Sequence, residues 1–178
     1  MENPVRVISS KLIYKGRTFD LVERELQYPN GKLFKRAIVE HSGAVVFIPQ
    51  CQDGSLLLVR QYRAALSCTI LEFPAGTLEQ GEDPLECAKR ESAEEVGHSA
   101  AEWLGLGAIY PSPGICSEVQ HCYLARELAT CQLEGDEDEL IQVEKFSVKE
   151  VEDLILNGGL VDAKSLAIFT LARFKGFL

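Results

Sequence analysis

The chain has 178 residues, 46% hydrophobic and 25% charged, with a formal net charge of -9 at neutral pH. That composition suits a soluble globular protein with one core and room for a small appendage. The acidic balance argues against a nucleic-acid backbone as the main partner, because binding a phosphate polymer needs a basic surface.

In chain order, the opening MENPVRVISSKLIYKG has no continuous apolar core and does not read as a secretory signal. From Thr18 to His41 two strands are expected around Tyr28-Pro29-Asn30-Gly31, since Asn-Gly is a strong hairpin signal. Residues 43–49, GAVVFIP, form a continuous apolar run, as in a strand buried on both faces. Asp53-Gly54 then turns the chain into a second strand, 55–62, which runs into RQYR.

The stretch from Gly76 to His98, GTLEQGEDPLECAKRESAEEVGH, predicts an acid-rich helix. Asp83 is placed to cap it, Pro84 suits its first position, and Glu86 completes a capping-box pattern. Gly97 supplies the stop. Glu91 and Glu95 are four residues apart and share a face, with Glu94 beside them. Like charges so close repel one another, and a divalent cation would neutralise them. An all-oxygen ligand set points to Mg2+ or Mn2+, ions that also hold substrate phosphates. The plainer alternative is a solvated acidic face with an Arg90–Glu94 salt bridge.

Shorter strands are expected at 104–110, 119–124 and 141–146. Ser147 and Glu150 form a capping box for a helix to about Leu156. Asp162 caps a last helix carrying Leu166, Phe169 and Leu171. No apolar run approaches the ~20 residues that span a bilayer, so no membrane association is expected. The six cysteines form no CxxC pair, and His41, His98 and His121 show no ligand spacing with them. Reduced thiols, no zinc site and a cytoplasmic location are therefore expected.

The spacing of Gly76, Glu82, Arg90, Glu91, Glu94, Glu95 and Gly97 resembles the Nudix box, G-x5-E-x7-R-E-U-x-E-E-x-G-U, with U aliphatic. All seven fixed positions match, while Ser92 and His98 stand where aliphatic residues are usual. Ser92 should face the core side of its helix, so its hydroxyl needs a partner. RQYR at 60–63, EFPAG at 72–76, SPG at 112–114 and DEDE at 136–139 resemble the ADP-ribose pyrophosphatase subfamily. Pro113, sixteen residues after Gly97, is the usual marker of that subfamily.

The resemblance implies an α/β fold, a Nudix α/β/α sandwich with a mixed sheet, preceded by a small N-terminal antiparallel β segment. It implies two parts: residues 1-40 as a hairpin for dimerisation and substrate cover, and 41-178 as the hydrolase domain. The implied activity is metal-dependent hydrolysis of ADP-ribose to AMP and ribose 5-phosphate by a homodimer. The alternatives are another nucleoside diphosphate sugar such as GDP-mannose, or a catalytically silent nucleotide-sensing domain. The metal ligands would be Glu91, Glu95, Glu94 and the backbone carbonyl of Ala75. Glu137 is the first candidate for the base and Glu139 the second, with Glu94 also counted among the catalytic residues. Arg63, Pro113, Gly114, Glu118 and Phe19 would contact substrate. Glu82 is expected to orient its neighbours and Arg90 to hold the glutamates in place.

Overall fold

The computed structural model describes residues 4–131 and 140–178. The chain divides into two compact units, Met1–Gly43 with Tyr110–Val119, and Ala44–Ile109 with Gln120–Leu178.

The first unit is a three-stranded antiparallel sheet in the order β1 (Arg6–Lys15), β2 (Phe19–Gln27), β3 (Leu33–His41). The expected turn joins β2 to β3: Gly31 N donates to Tyr28 O at 2.9 Å, and Gly31 has a φ of 77°. Strand β1 was not expected. Its apolar residues come in runs, Val7-Ile8 and Leu12-Ile13-Tyr14, and do not alternate. The register explains this, because it shifts between Val7 and Ser9 and again between Leu12 and Tyr14. Each bulge adds a residue and resets the two-residue period. The segment Tyr110–Val119 lies along β3, with Val39 N donating to Ile115 O at 2.8 Å and Ser117 N to Val39 O at 2.9 Å.

The second unit is layered about β4 (Ala44–Pro49), whose six residues are all buried. Successive side chains of a strand point to opposite faces. Val45 and Phe47 pack with Cys87, Ala88 and Val96 at the helix α1 (Pro84–Glu95). Val46 and Ile48 pack with Ile168, Phe169 and Ala172 of the helix α3 (Ala163–Phe174). One strand thus lies between two helices, as the expected α/β/α sandwich requires. Its sheet is β7-β4-β9-β8, from β7 (Ala75–Thr77), β8 (His98–Ile109) and β9 (Gln120–Thr130). It is mixed, since β4 and β9 are parallel and the other pairs antiparallel.

A second antiparallel sheet, β10-β5-β6, comprises β5 (Leu56–Arg63), β6 (Cys68–Glu72) and β10 (Ile141–Phe146). The helix α2 (Val148–Leu156) opens with both halves of the Ser147/Glu150 capping box. In α1, Asp83 accepts from Leu85 N and Glu86 N, but the Glu86 carboxylate pairs with Lys89 at 2.7 Å. Strands β8 and β9 are longer than their sequence patterns indicate. The pattern in β8 is broken by a register shift between Gly105 and Gly107. Strand β7, three residues long, is too short to show any period. Among the described residues no helix is long and apolar enough to cross a membrane.

Candidate active site

The acidic face of α1 is organised by one cation. Arg90 Nε donates to Glu82 Oε1 at 3.0 Å and Nη2 to Glu82 Oε2 at 3.1 Å. Arg90 Nη1 is shared between Glu91 Oε1 at 2.8 Å and Glu94 Oε2 at 2.9 Å. Glu82 also accepts from Glu79 N at 2.9 Å, which ties the loop before α1 to the same cluster. Glu82 lies below the usual carboxylate range, chiefly because Arg90 donates to it. The Arg90 guanidinium is correspondingly held cationic, first by its bond to Glu82. Burial pushes the neighbouring Cys87 thiol up to about 12, so it carries no charge here at neutral pH.

Glu95 works differently. It is 8% exposed, and its Oε2 accepts from Ala75 N at 3.0 Å, joining the last turn of α1 to β7. Gly76 lies against Glu91 so closely that a Cβ there would fall 2.0 Å from Glu91 Cδ. Only a glycine lets the carboxylate approach the strand this way. The box's unusual Ser92 is fully buried, and its hydroxyl donates to His98 O at 2.7 Å. The hydroxyl therefore has its partner, and the bond ties α1 to the start of β8. Between them Gly97 takes a φ of 67°, the left-handed conformation that ends a helix.

Among the described residues no three His, Cys, Asp or Glu side chains already converge on one point. Arg90 stands between Glu91 and Glu94 instead. The donor chemistry nevertheless fits a hard divalent cation. Glu91, Glu94 and Glu95 offer carboxylate oxygen alone, and Glu91 and Glu95 meet the backbone of β7 at Gly76 and Ala75.

Arg63 ends β5 and is held by a buried carboxylate. Glu72, 1% exposed, accepts from Arg63 Nε at 2.7 Å and Nη2 at 2.7 Å. Lys164 Nζ donates to the same carboxylate and to Asp162 Oδ2, the latter at 2.9 Å. Asp162 caps α3 by accepting from Ser165 N at 2.9 Å and Ser165 Oγ at 2.7 Å. Ser165 Oγ in turn accepts from Phe73 N at 2.7 Å. Glu72 is the first cause of the raised basicity of Arg63, and Glu95 and Asp162 also pull on it. Arg63 and the acidic end of α1 thus lie within electrostatic reach of each other.

In the sequence Asp162 reads only as a helix cap, and Glu72 and Lys164 do not stand out as individual site residues. Two signals were present. Glu72 sits between Leu71 and Phe73 in an apolar strand end, where a carboxylate needs a partner. Lys164 lies in the first turn of α3, where the helix dipole disfavours a cation unless something else holds it.

The site residues named from the sequence fall in both units. Arg63, Ala75, Gly76, Glu82, Arg90, Glu91, Glu94, Glu95 and Gly97 belong to the second. Phe19, Pro113, Gly114 and Glu118 belong to the first. Phe19 is 43% exposed at the start of β2, and Pro113 and Gly114 are exposed in a turn where Cys116 N donates to Ser112 O at 2.9 Å. Glu137 and Glu139 lie outside the described residues.

The NUDIX domain model matches residues 39–167. This chain belongs to the Nudix family. It is 38% identical over 162 residues to an ADP-ribose pyrophosphatase of Bacillus subtilis (strain 168), covering 90% of this chain and 88% of that protein. It is 34% identical over 163 residues to a methanol dehydrogenase activator of Bacillus methanolicus, with the same coverages of 90% and 88%. A crystal structure of an ADP compounds hydrolase aligns with a TM-score of 0.85 and 24% identity, over 99% of this chain and 98% of that one. That last likeness speaks for the Nudix fold.

Proposed function

We propose that this Nudix chain is a divalent-metal-dependent pyrophosphohydrolase that cleaves ADP-ribose to AMP and ribose 5-phosphate. The observation that carries the reading is the carboxylate set of α1, of which Glu91 and Glu95 meet β7 at Gly76 and Ala75. The Bacillus subtilis relative supports the choice of substrate. Glu91, Glu94, Glu95 and the Ala75 carbonyl would hold Mg2+, with Mn2+ as a substitute. When bound, the ion offsets the charge of the diphosphate and polarises its phosphoryl oxygens.

The chain's own groups do the rest. Arg63 presents a cation to the diphosphate, and Glu82 with Arg90 orients the ligating carboxylates. Glu137 takes the proton of the attacking water, with Glu139 as the second choice. The water oxygen bonds to one phosphorus, the bridging P–O bond breaks, and the bridging oxygen leaves on the other phosphate. Phe19, Pro113, Gly114 and Glu118 would contact the nucleoside or ribose ends. Residues 1-40 would act as dimerisation segment and substrate cover for a hydrolase domain of 41-178, in a cytoplasmic homodimer. The first unit supports the dimer, because it exposes Val7, Leu12, Leu33 and Phe19 by 56%, 51%, 52% and 43%. Apolar surface of that kind is buried in a stable assembly.

A kinetic panel of ADP-ribose, GDP-mannose, NADH and diadenosine polyphosphates, each with Mg2+ and Mn2+, tests the reading. ADP-ribose should show the highest kcat/KM. A preference for GDP-mannose would move the activity to another nucleotide sugar, and no turnover of any would leave a sensing domain. Glu137→Gln should lower kcat by about tenfold or more with little change in KM. Light scattering should give twice the chain mass, and a clean 19.7 kDa particle at micromolar concentration would overturn the dimer.

A further inference from the structure

Two cations share one buried carboxylate at the end of β6. Arg63 spends Nε and Nη2 on Glu72, and Lys164, 10% exposed, closes on the same group. Asp162, itself 17% exposed, pairs with Lys164 as well. The four groups together carry no net charge, and each is fixed by a second bond. Asp162 is tied to Ser165, and Ser165 to Phe73, the residue after Glu72. This frame runs directly into Pro74, whose carbonyl accepts from Phe47 N at 3.1 Å, and Ala75, whose N–H goes to Glu95.

An Arg63–Glu72 pair alone would be neutral, and with Asp162 it would be negative. A negative mount beside the acidic end of α1 would repel a diphosphate. The geometry points to Lys164 as a positioning residue for substrate binding. It offsets the negative charge that Glu72 and Asp162 together leave beyond Arg63, so that the mount is neutral rather than repulsive toward an anionic diphosphate while the Arg63 head stays clamped. The inference rests on the proposed role of Arg63 at the diphosphate. Lys164 touches no substrate in this scheme and acts through Glu72 and Arg63.

The test is a sign test on charge. Lys164→Met keeps the apolar stem and removes a positive charge. Asp162→Asn removes a negative charge and keeps a side chain that caps a helix as well as Asp does. Binding of the α,β-methylene analogue of ADP-ribose, whose carbon bridge resists hydrolysis, is measured by calorimetry at saturating Mg2+. KM and kcat for the best-hydrolysed substrate are measured alongside. Lys164→Met should weaken binding by about tenfold, the effect of one charge at moderate distance in a partly screened site. Its kcat should change less than its KM. Asp162→Asn should bind as tightly as the wild type or several-fold more tightly.

A merely structural network predicts that both variants weaken binding together, and that result would overturn the inference. So would a Lys164→Met affinity within about twofold of wild type. The wild-type measurement reads the underlying function separately. If the unaltered protein hydrolyses GDP-mannose and not ADP-ribose, the substrate is reassigned and the sign test runs on that diphosphate. If it binds neither diphosphate, the hydrolase reading and this inference fall together.

Discussion

Two charge clusters in the second unit are built on opposite plans. At α1 a single cation, Arg90, serves three carboxylates, Glu82, Glu91 and Glu94, with Glu95 close by on the same helix. At the end of β6 two cations, Arg63 and Lys164, serve Glu72, and Asp162 completes the balance. The first cluster is short of positive charge and the second is not. An anion-rich cluster that is less than one-third exposed is held at an electrostatic cost, which a bound cation removes. A balanced cluster needs nothing further and can serve as a rigid mount. On the proposed function, the difference would separate a place for a metal from a mount that holds an arginine toward its ligand.

The sharpest way to break that distinction is at Glu95. Glu95→Gln keeps an acceptor for Ala75 N and removes one charge, so the fold should survive. Turnover at saturating Mg2+ should fall by at least ~100-fold, as when a metal ligand is lost. Near wild-type turnover would show that the α1 cluster does not ligate.

Gly76→Ala comes next. A Cβ at 2.0 Å from Glu91 Cδ must displace the carboxylate or the strand. Activity should fall about tenfold and stability by roughly 1–3 kcal/mol, as for overpacking. Full activity would mean that the position of Glu91 is not critical.

Arg90→Met probes the shared cation. Without metal, three carboxylates lose the Arg90 cation, and urea unfolding should report a loss of about 2 kcal/mol, below the full buried-pair value because Arg90 is partly exposed. Saturating Mg2+ should restore much of it, so the variant gains more from the ion than the wild type does. Equal gains in both proteins would remove the link between the charge deficit and the metal.

The smallest effect is in acid. Arg90 holds Glu82 below its ordinary value of 4.5. A carboxyl depressed by folding adds stability above the unfolded value, and that stability is lost as pH falls through the folded one. Between neutral pH and 4.5 the contribution should be constant, and below 4.5 it should decline. The decline should be shallower in Arg90→Met, as read from urea midpoints across the acid range.

The α1 cluster was legible in the sequence because most of its parts, Arg90, Glu91, Glu94 and Glu95, are neighbours on one helix. Spacing alone puts Glu91, Glu94 and Glu95 together, and the Asp83 cap and the Gly97 stop bound them. The β6 cluster was not legible in the same way. Glu72 and Lys164 are 92 residues apart, and no period or motif spacing links a strand-end glutamate to a lysine in another helix. What the sequence held was only a pair of mismatches, an acid in an apolar strand end and a cation at a helix N-terminus.

The fold divides along the same line. By itself the sequence determined the Asn30-Gly31 turn, the doubly buried β4, the capping of α1, α2 and α3, and the Nudix box. These follow from backbone preference and from periods that repeat within a dozen residues. The tertiary structure decided which charges meet, how Arg90 divides itself among its glutamates, and why Gly76 must lack a side chain. It also decided that β1 pairs through two bulges and that β8 and β9 run beyond their patterns. Those outcomes depend on partners brought close only by folding. A strand's register and a charge's counterion are set by what lies across from them, which no local pattern records.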